Sequence, residues 1–376
     1  MAGIYLHIPF CKQACHYCDF HFSTSLKYRG EMVAALQTEL VLRVKGFSEP
    51  ISTIYFGGGT PSILSSSEIA TILNTIDKNY IVTSSPEITL EANPDDLSKS
   101  KIDELWAIGI NRLSIGIQSF FEADLKLMNR AHTEEEAHRG LELATKVFDN
   151  ISIDLIYGIP GASMSQWQQN VERALDYNLK HISAYALTVE PKTALSSFIK
   201  KGLISDVDDG QAKVQFEYLV DTLEANGYEH YELSNFAKEG WYSKNNSAYW
   251  QGKSYIGVGP SAHSFDGNKR SWNIRNNLQY IKNIGAGLPF SEEEILTSVD
   301  RYNEYVMTGL RTIWGIDLNE VKSKFGDTFE TYLLMQSQKY LDQHLLFIDD
   351  STLKISRKGR FLSDGISADL FMLNLK

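Results

Sequence analysis

All three cysteines of this 376-residue chain fall in one short stretch, Phe10-Cys11-Lys12-Gln13-Ala14-Cys15-His16-Tyr17-Cys18-Asp19-Phe20. No further cysteine exists to complete a four-thiolate site, and a disulfide between two of them would leave the third over. Soft thiolates spaced this closely converge on one metal centre after a tight turn. Zinc would need a fourth ligand, which His7, His16 or His21 could supply. A cubane iron–sulfur cluster would instead leave one iron without a protein thiolate, open to a small molecule. The remainder of the chain favours the cluster.

The stretch is reached from a short apolar run, Ile4 to Ile8, that ends at Pro9 and reads as a first strand. Helical spacing follows from about Tyr28 to Val44, with Met32, Leu36, Leu40 and Val44 on one face. A second strand, Ile51 to Phe56, breaks into Gly57-Gly58-Gly59-Thr60-Pro61. The unit then repeats, with strands expected at Glu87–Glu91, Arg112–Ile117, Ile151–Ile156 and Ile182–Leu187. Helices are expected near Ser66–Asp77, Ser98–Ile108, Leu141–Ala144 and Ser165–Tyr177. Six such alternations predict an α/β fold with a parallel sheet covered by helices, either a partial barrel or a doubly wound sheet.

Polar residues gather at the expected strand ends: Glu91-Ala92-Asn93-Pro94, Gln118-Ser119, Asp154 and Tyr157-Gly158-Ile159-Pro160-Gly161. In a parallel barrel these positions share one mouth, the same mouth that receives the cysteines. The glycine run has neither the nucleotide fingerprint nor the lysine of a phosphate loop. It reads as a tight turn or as a floor whose backbone N–H groups approach a ligand. Glu91 is suited to an ammonium group, Asp154 to a ribose hydroxyl or a second cation, and Arg130 to a carboxylate in fork geometry. Together they suit a zwitterionic ligand such as methionine attached to adenosine.

Beyond Pro191 a helix from about Gln211 to Asn226 leads into an aromatic, turn-rich stretch from Tyr228 to Tyr255, read as a layer packed on the barrel's open edge. His263 sits in a Gly/Pro-rich loop. From Ser291 the sequence predicts a helix to about Thr312, then helices at Asn319–Phe325 and Thr328–Gln343. A two-stranded ribbon over Leu345–Ile348 and Leu353–Ile355 and a helix from Gly359 complete a winged-helix-like tail.

These residues resemble the radical S-adenosylmethionine superfamily. Cys11-x3-Cys15-x2-Cys18 is similar to its cluster motif, and Gly57 to Pro61 to its methionine-binding stretch. More narrowly, the chain resembles the oxygen-independent coproporphyrinogen III oxidase family and its haem-chaperone (HemW-type) branch. The likeness includes Gln118-Ser119-Phe120, Asn129-Arg130-Ala131-His132, Asp154 to Gly161 and Gly257 to His263.

The resemblance implies an incomplete (β/α)6 barrel over residues 1–200, a barrel extension over 201–290 and a C-terminal helical domain over 291–376. It implies that Cys11, Cys15 and Cys18 bind three irons of a [4Fe-4S] cluster, and that S-adenosylmethionine chelates the fourth. Tyr5, Tyr17, Gly57, Gly58, Gly59, Thr60, Glu91, Gln118, Arg130 and Asp154 would line that cofactor. One electron from the reduced cluster, delivered by a flavodoxin or ferredoxin, would cleave the sulfonium to a 5'-deoxyadenosyl radical.

Two features point to the haem-binding, haem-delivering branch and away from porphyrinogen decarboxylation. Cys11 comes too early for the oxidases' long N-terminal extension, and Phe20 stands where they have a further cysteine. The expected partners are then haem and an acceptor haemoprotein of respiration. That branch usually carries His-Asn-x-x-Tyr-Trp, whereas this chain has Asn245-Asn246-Ser247-Ala248-Tyr249-Trp250. Amide is a poor iron ligand beside imidazole, so His263 or His21 becomes the candidate axial group, with Asn246, Tyr249 and Trp250 as companions.

The competing expectations are a true radical enzyme, a structural zinc protein and a nucleic-acid-binding tail. The last is opposed by a net charge of -11 and by an acidic balance beyond Phe290. No apolar run is long enough to span a membrane and no basic signal region opens the chain. A cytoplasmic location with at most peripheral membrane contact is therefore expected.

Overall fold

The computed structural model describes residues 1–45 and 47–373; the last three residues of the expected C-terminal domain lie outside the described residues. Six parallel strands follow one another across the sheet in chain order: β1 (Ala2–Ile8), β2 (Ile51–Gly58), β3 (Val82–Ala92), β4 (Arg112–Gln118), β5 (Ile151–Tyr157) and β6 (His181–Ala186). Between them run α1 (Arg29–Arg43), α2 (Ser66–Asn79), α3 (Lys99–Ala107), α4 (Glu122–Leu127), α5 (Glu134–Ala144) and α6 (Met164–Asp176).

Side-chain alternation along each strand divides the barrel. In β1, Ile4, Leu6 and Ile8 join the core shared with Met32, Leu36 and Leu40 of α1. Gly3, Tyr5 and His7 occupy the opposite face and border an interior cavity. The helices start where the sequence supplies caps. Ser65 with Glu68, Thr133 with Glu136 and Ser163 with Gln166 each form a reciprocal capping box.

After β6 come α7 (Ala194–Lys200), α8 (Asp209–Ala225) and an antiparallel edge of β7 (Glu229–Glu232) and β8 (Asn235–Ala237). The chain then forms α9 (Lys244–Trp250) and crosses to the other side of the barrel. There β9 (Tyr255–Val258) lies parallel to β1. Next to it β10 (His263–Phe265), β11 (Lys269–Asn273) and, after α10 (Asn277–Ala286), β12 (Ser291–Ile295) complete a twelve-stranded mixed sheet. The aromatic stretch divides. Tyr228, Tyr231 and Phe236 are buried as expected of a packed layer, but Tyr249, Trp250 and Tyr255 border the cavity.

The helix expected from Ser291 does not form there. Ser291–Ile295 is a strand paired antiparallel with β11, and Lys269 on the neighbouring strand meets Glu293 at 2.8 Å. The glutamates suggested helix on propensity alone; pairing with β11 overrides it. The helix begins only after the Thr297–Asp300 capping box, as α11 (Ser298–Leu310).

The remaining elements are β13 (Ile316–Asp317), α12 (Leu318–Phe325), α13 (Asp327–Asp342), β14 (Leu346–Asp349), β15 (Thr352–Ile355) and α14 (Ser363–Asp369). The expected ribbon is present, with β13 as a third strand beside β15. These elements enclose their own core around Tyr302, Val306, Leu310, Val321, Leu333, Leu353 and Ile366. Among the described residues no helix is long and apolar enough to cross a membrane.

Candidate functional site

The cysteine loop leaves the C-terminal end of β1 and is held from behind by the segment between α4 and α5. His16 N–H donates to Met128 O at 3.0 Å, and His16 Nδ1 lies 2.8 Å from Leu127 O. Asn129, in a left-handed conformation at φ 56°, donates from Nδ2 to Ala14 O and accepts from Gln13 Nε2. Cys11, Cys15 and Cys18 are half-buried and free. Burial pushes the Cys11 thiol up to about 11, with Cys18 and Cys15 nearby adding to the shift, so a metal centre bound there would displace protons.

Each histidine proposed as a fourth zinc ligand has a nitrogen committed elsewhere. His7 Nε2 meets His21 O at 2.9 Å, His16 is held by Leu127, and His21 Nε2 lies 2.7 Å from Asn277 Oδ1. Among the described residues, no three His, Cys, Asp or Glu side chains are arranged to hold a single ion. A cubane spreads its thiolates over separate irons, so the three free cysteines fit it without a single-ion geometry.

Arg130 braces this loop. Nη1 lies 3.4 Å from Cys15 Sγ and 3.5 Å from Tyr17 Oη, while Nη2 donates to Asn93 Oδ1 at 2.8 Å and Gly116 O at 3.0 Å. The open fork expected for a ligand carboxylate is therefore taken up by the protein itself. Only Nε is buried without a partner. Gln118 ends β4 at φ 65°, with Nε2 close over Gly116.

The glycine run also differs from the expected floor of free N–H groups. Gly58 N–H donates to Glu91 Oε2, Gly59 N–H to Ile8 O and Thr60 N–H to Phe10 O. Its composition is set by crowding. A Cβ on Gly57 would come within 2.9 Å of the Tyr5 and Tyr55 rings, and one on Gly59 within 2.5 Å of Phe10 O.

Glu91 takes a 2.8 Å bond from Tyr55 Oη. Burial pushes its pKa up to about 7, opposed by the Tyr55 bond and assisted by Asp154. Asp154 stands in the middle of β5, not at its end as expected, and burial raises it to about 6 against the pull of Ser183, Arg112 and Arg130. Both carboxylates face the barrel interior, where small changes in surroundings decide their charge near neutrality.

A cavity of about 780 Å³ opens beside this cluster of residues. Tyr5, Gly58 and Glu91 border it, while the cysteines, Gly57, Gly59, Thr60, Tyr17, Gln118, Arg130 and Asp154 do not. All five candidate haem residues, His21, Asn246, Tyr249, Trp250 and His263, lie on its wall. So does Asn245, which accepts from Thr53 Oγ1 at 3.2 Å. Phe20 and Tyr185 add exposed aromatic surface. This volume and an aromatic lining with a few polar groups suit a flat, drug-sized ligand.

Sequence reasoning missed several wall residues. Tyr55 was accessible, since it shares a strand face with Thr53 and Gly57. Arg275 and Arg311 gave no local signal, because only the tertiary fold brings them to the cavity. Glu39 of α1 was likewise hidden. It is fully buried and takes bonds from Gly259 N–H and Asn273 Nδ2, both at 2.8 Å, which fix the loop carrying His263. Gly257 lets that loop pass, since a Cβ there would overlap His263 O.

The chain matches the Radical SAM superfamily over residues 5–174 and the HemN C-terminal domain over residues 296–362. It is 32% identical over 371 residues to the Heme chaperone HemW of Bacillus subtilis (strain 168), covering 97% of this chain and 98% of that protein. It is 34% identical over 364 residues to the Heme chaperone HemW of Lactococcus lactis subsp. lactis (strain IL1403), covering 96% and 95%. Its fold is similar to that of coproporphyrinogen III oxidase (HemN) from Escherichia coli, with a TM-score of 0.86 at 24% identity over 99% of this chain and 90% of that one.

Proposed function

Because the chain belongs to the radical S-adenosylmethionine superfamily and, within it, to the heme chaperone HemW family, we propose that it binds haem in the 780 Å³ cavity and delivers it to acceptor haemoproteins. The cavity carries this reading. It is large enough for a macrocycle, walled by Phe20, Tyr185, Tyr249, Trp250 and Tyr255, and supplied with imidazoles from His21 and His263.

His263 is the better axial ligand of the two. Among the described residues no hydrogen bond holds its ring, whereas Nε2 of His21 lies 2.7 Å from Asn277 Oδ1 and leaves only Nδ1. Burial lowers the His263 pKa, favouring the neutral imidazole that coordinates iron. Asn245 stands at the family's usual histidine position and bonds to Thr53, which supports a ligand taken from elsewhere on the wall.

In this reading Cys11, Cys15 and Cys18 hold the [4Fe-4S] cluster, and Arg130 fixes the loop against Asn93 and Gly116. Tyr5, Gly58, Glu91, Gln118 and Asp154 orient S-adenosylmethionine, with Tyr17, Gly57, Gly59 and Thr60 shaping the surrounding loops. When bound, the cluster and S-adenosylmethionine supply one-electron reductive cleavage chemistry. The chain's own residues hold Glu91 poised near neutrality and confine the open cavity to one side of the site.

The acceptors in this proposal are respiratory haemoproteins, the electron donor is a flavodoxin or ferredoxin, and the compartment is the cytoplasm. Residues 1–200 act as the barrel, 201–295 as its extension and 296–376 as the C-terminal domain, the expected boundary at 291 moving because Ser291–Ile295 pairs with β11. The separate core around Tyr302 and Leu333 supports the last of these. The test is anaerobic reconstitution followed by haem titration and, separately, incubation with coproporphyrinogen III, S-adenosylmethionine and a reductant. Stoichiometric haem binding with a Soret band and no porphyrinogen turnover is expected. Turnover without haem retention would replace the chaperone with a porphyrinogen-converting enzyme.

A further inference from the structure

Arg311, at the C-terminal end of α11, is brought by the C-terminal region to the wall of the large cavity. It also borders a smaller cavity of about 120 Å³ between that region and the barrel. Its guanidinium lies over the Trp250 ring, 5.2 Å from the ring centre, where a cation is attracted to the π face. Nη1 is paired with Asp364, while Nε is buried and among the described residues has no hydrogen-bond partner.

A guanidinium takes a carboxylate through two parallel bonds along one edge. Here Nη1 is on Asp364 and Nε is closed off from solvent, so among the described residues Nη2 is the donor that remains both unpaired and reachable. Glu232 lies on the same wall, and burial raises its pKa against the opposing charge of Arg311, but its carboxylate is bonded to Asn235 and forms no ion pair with Arg311 among the described residues. The protein therefore supplies a positioned cation, stacked on an aromatic ring beside a haem-sized space, without completing its hydrogen bonding.

We propose that Arg311 receives a carboxylate of the cavity's ligand, so that the C-terminal region takes part in recognising the acid side chains of the macrocycle. This inference rests on the haem-binding reading, since haem carries two propionate carboxylates. It predicts discrimination between haem and a macrocycle of the same shape whose carboxylates are esterified.

The test is titration of the full reconstituted chain with haem and with haem dimethyl ester. It compares the parent, Arg311→Gln and Asp364→Asn, with circular dichroism as the folding control. The parent should bind haem at least about 10-fold more tightly than the ester, the scale of one charge-assisted hydrogen bond. Arg311→Gln should lose about that factor for haem while leaving the ester within about twofold. Asp364→Asn, which removes the ion pair but leaves Nη2 in place, should retain the discrimination. Equal binding of haem and ester by the parent, or equal weakening of both by Arg311→Gln, overturns the role of Arg311 while leaving the haem cavity standing. Binding of neither ligand by the parent overturns the haem cavity itself.

Discussion

Substitution of Glu39 should uncouple the two sides of the barrel's β9 edge. Its carboxylate is fully buried on α1 and collects donors from four directions. Arg43 Nε and Asn273 Nδ2 donate to Oε1 at 2.6 and 2.8 Å, and Gly259 N–H and Tyr280 Oη to Oε2. In Glu39→Gln one oxygen becomes an N–H donor. The less costly orientation places it toward Tyr280, whose hydroxyl can turn to accept, and strands Gly259 N–H. That should cost about 2–3 kcal/mol. Glu39→Ala also removes the partner of Arg43 and should cost about 3–5 kcal/mol. Tyr280→Phe removes one donor and leaves the carboxylate with three others, at about 1 kcal/mol. Urea unfolding followed by far-ultraviolet circular dichroism measures all three. Because Gly259 anchors the loop bearing His263, haem titration should weaken in the same order. A loss below about 1 kcal/mol for Glu39→Ala, or Tyr280→Phe as damaging as Glu39→Ala, would refute the view of this carboxylate as the anchor.

Cys15→Ser should abolish the iron and acid-labile sulfide recovered after reconstitution. Arg130→Lys should lower both without unfolding the chain, because an ammonium cannot reach Asn93, Gly116 and Cys15 together. Glu91 has its folded pKa raised to about 7 from an ordinary 4.5, so the folded state binds the proton more tightly than the unfolded state. Its contribution to stability should therefore fall as pH rises from about 4.5 to about 7 and level off above, by at most about 3 kcal/mol. Glu91→Gln should flatten that part of the stability–pH curve, and an unchanged slope would count against a buried, proton-holding carboxylate. His263→Ala should shift the Soret band of the haem complex and weaken binding, whereas His21→Ala should have the smaller effect because its ring is already engaged by Asn277.

The parallel half of the barrel was legible because most of its strands are compact apolar runs followed by polar or glycine-rich residues, and α2, α3, α5 and α6 carry local start signals. Cys11 to Cys18, Glu91 and Gln118 could thus be assigned to one mouth from position alone. Ser291–Ile295 could not be read correctly, since it becomes a strand only by pairing with β11. Neither could the roles of Glu39, whose partners Gly259, Asn273 and Tyr280 lie more than two hundred residues away, or of Arg311, which arrives with a separate core. The glycine run was visible, but the use of its N–H groups within the protein depends on how Ile8, Phe10 and Glu91 meet it.

The placement of β9 beside β1 changes what opening motions the cluster-bearing strand permits. β1 is paired along Ala2–Ile8 with β2 and along Gly3–Leu6 with β9, so it has no free edge. Its central amides should exchange with solvent only through opening of the whole sheet, while those of the loop carrying Cys15 and Cys18 should exchange through local fluctuations. A metal centre held by Cys11, Cys15 and Cys18 would then enter through movement of the loop alone, with the pairing of β1 unchanged. Hydrogen-exchange profiles before and after reconstitution should differ around residues 11–22 and coincide along β1.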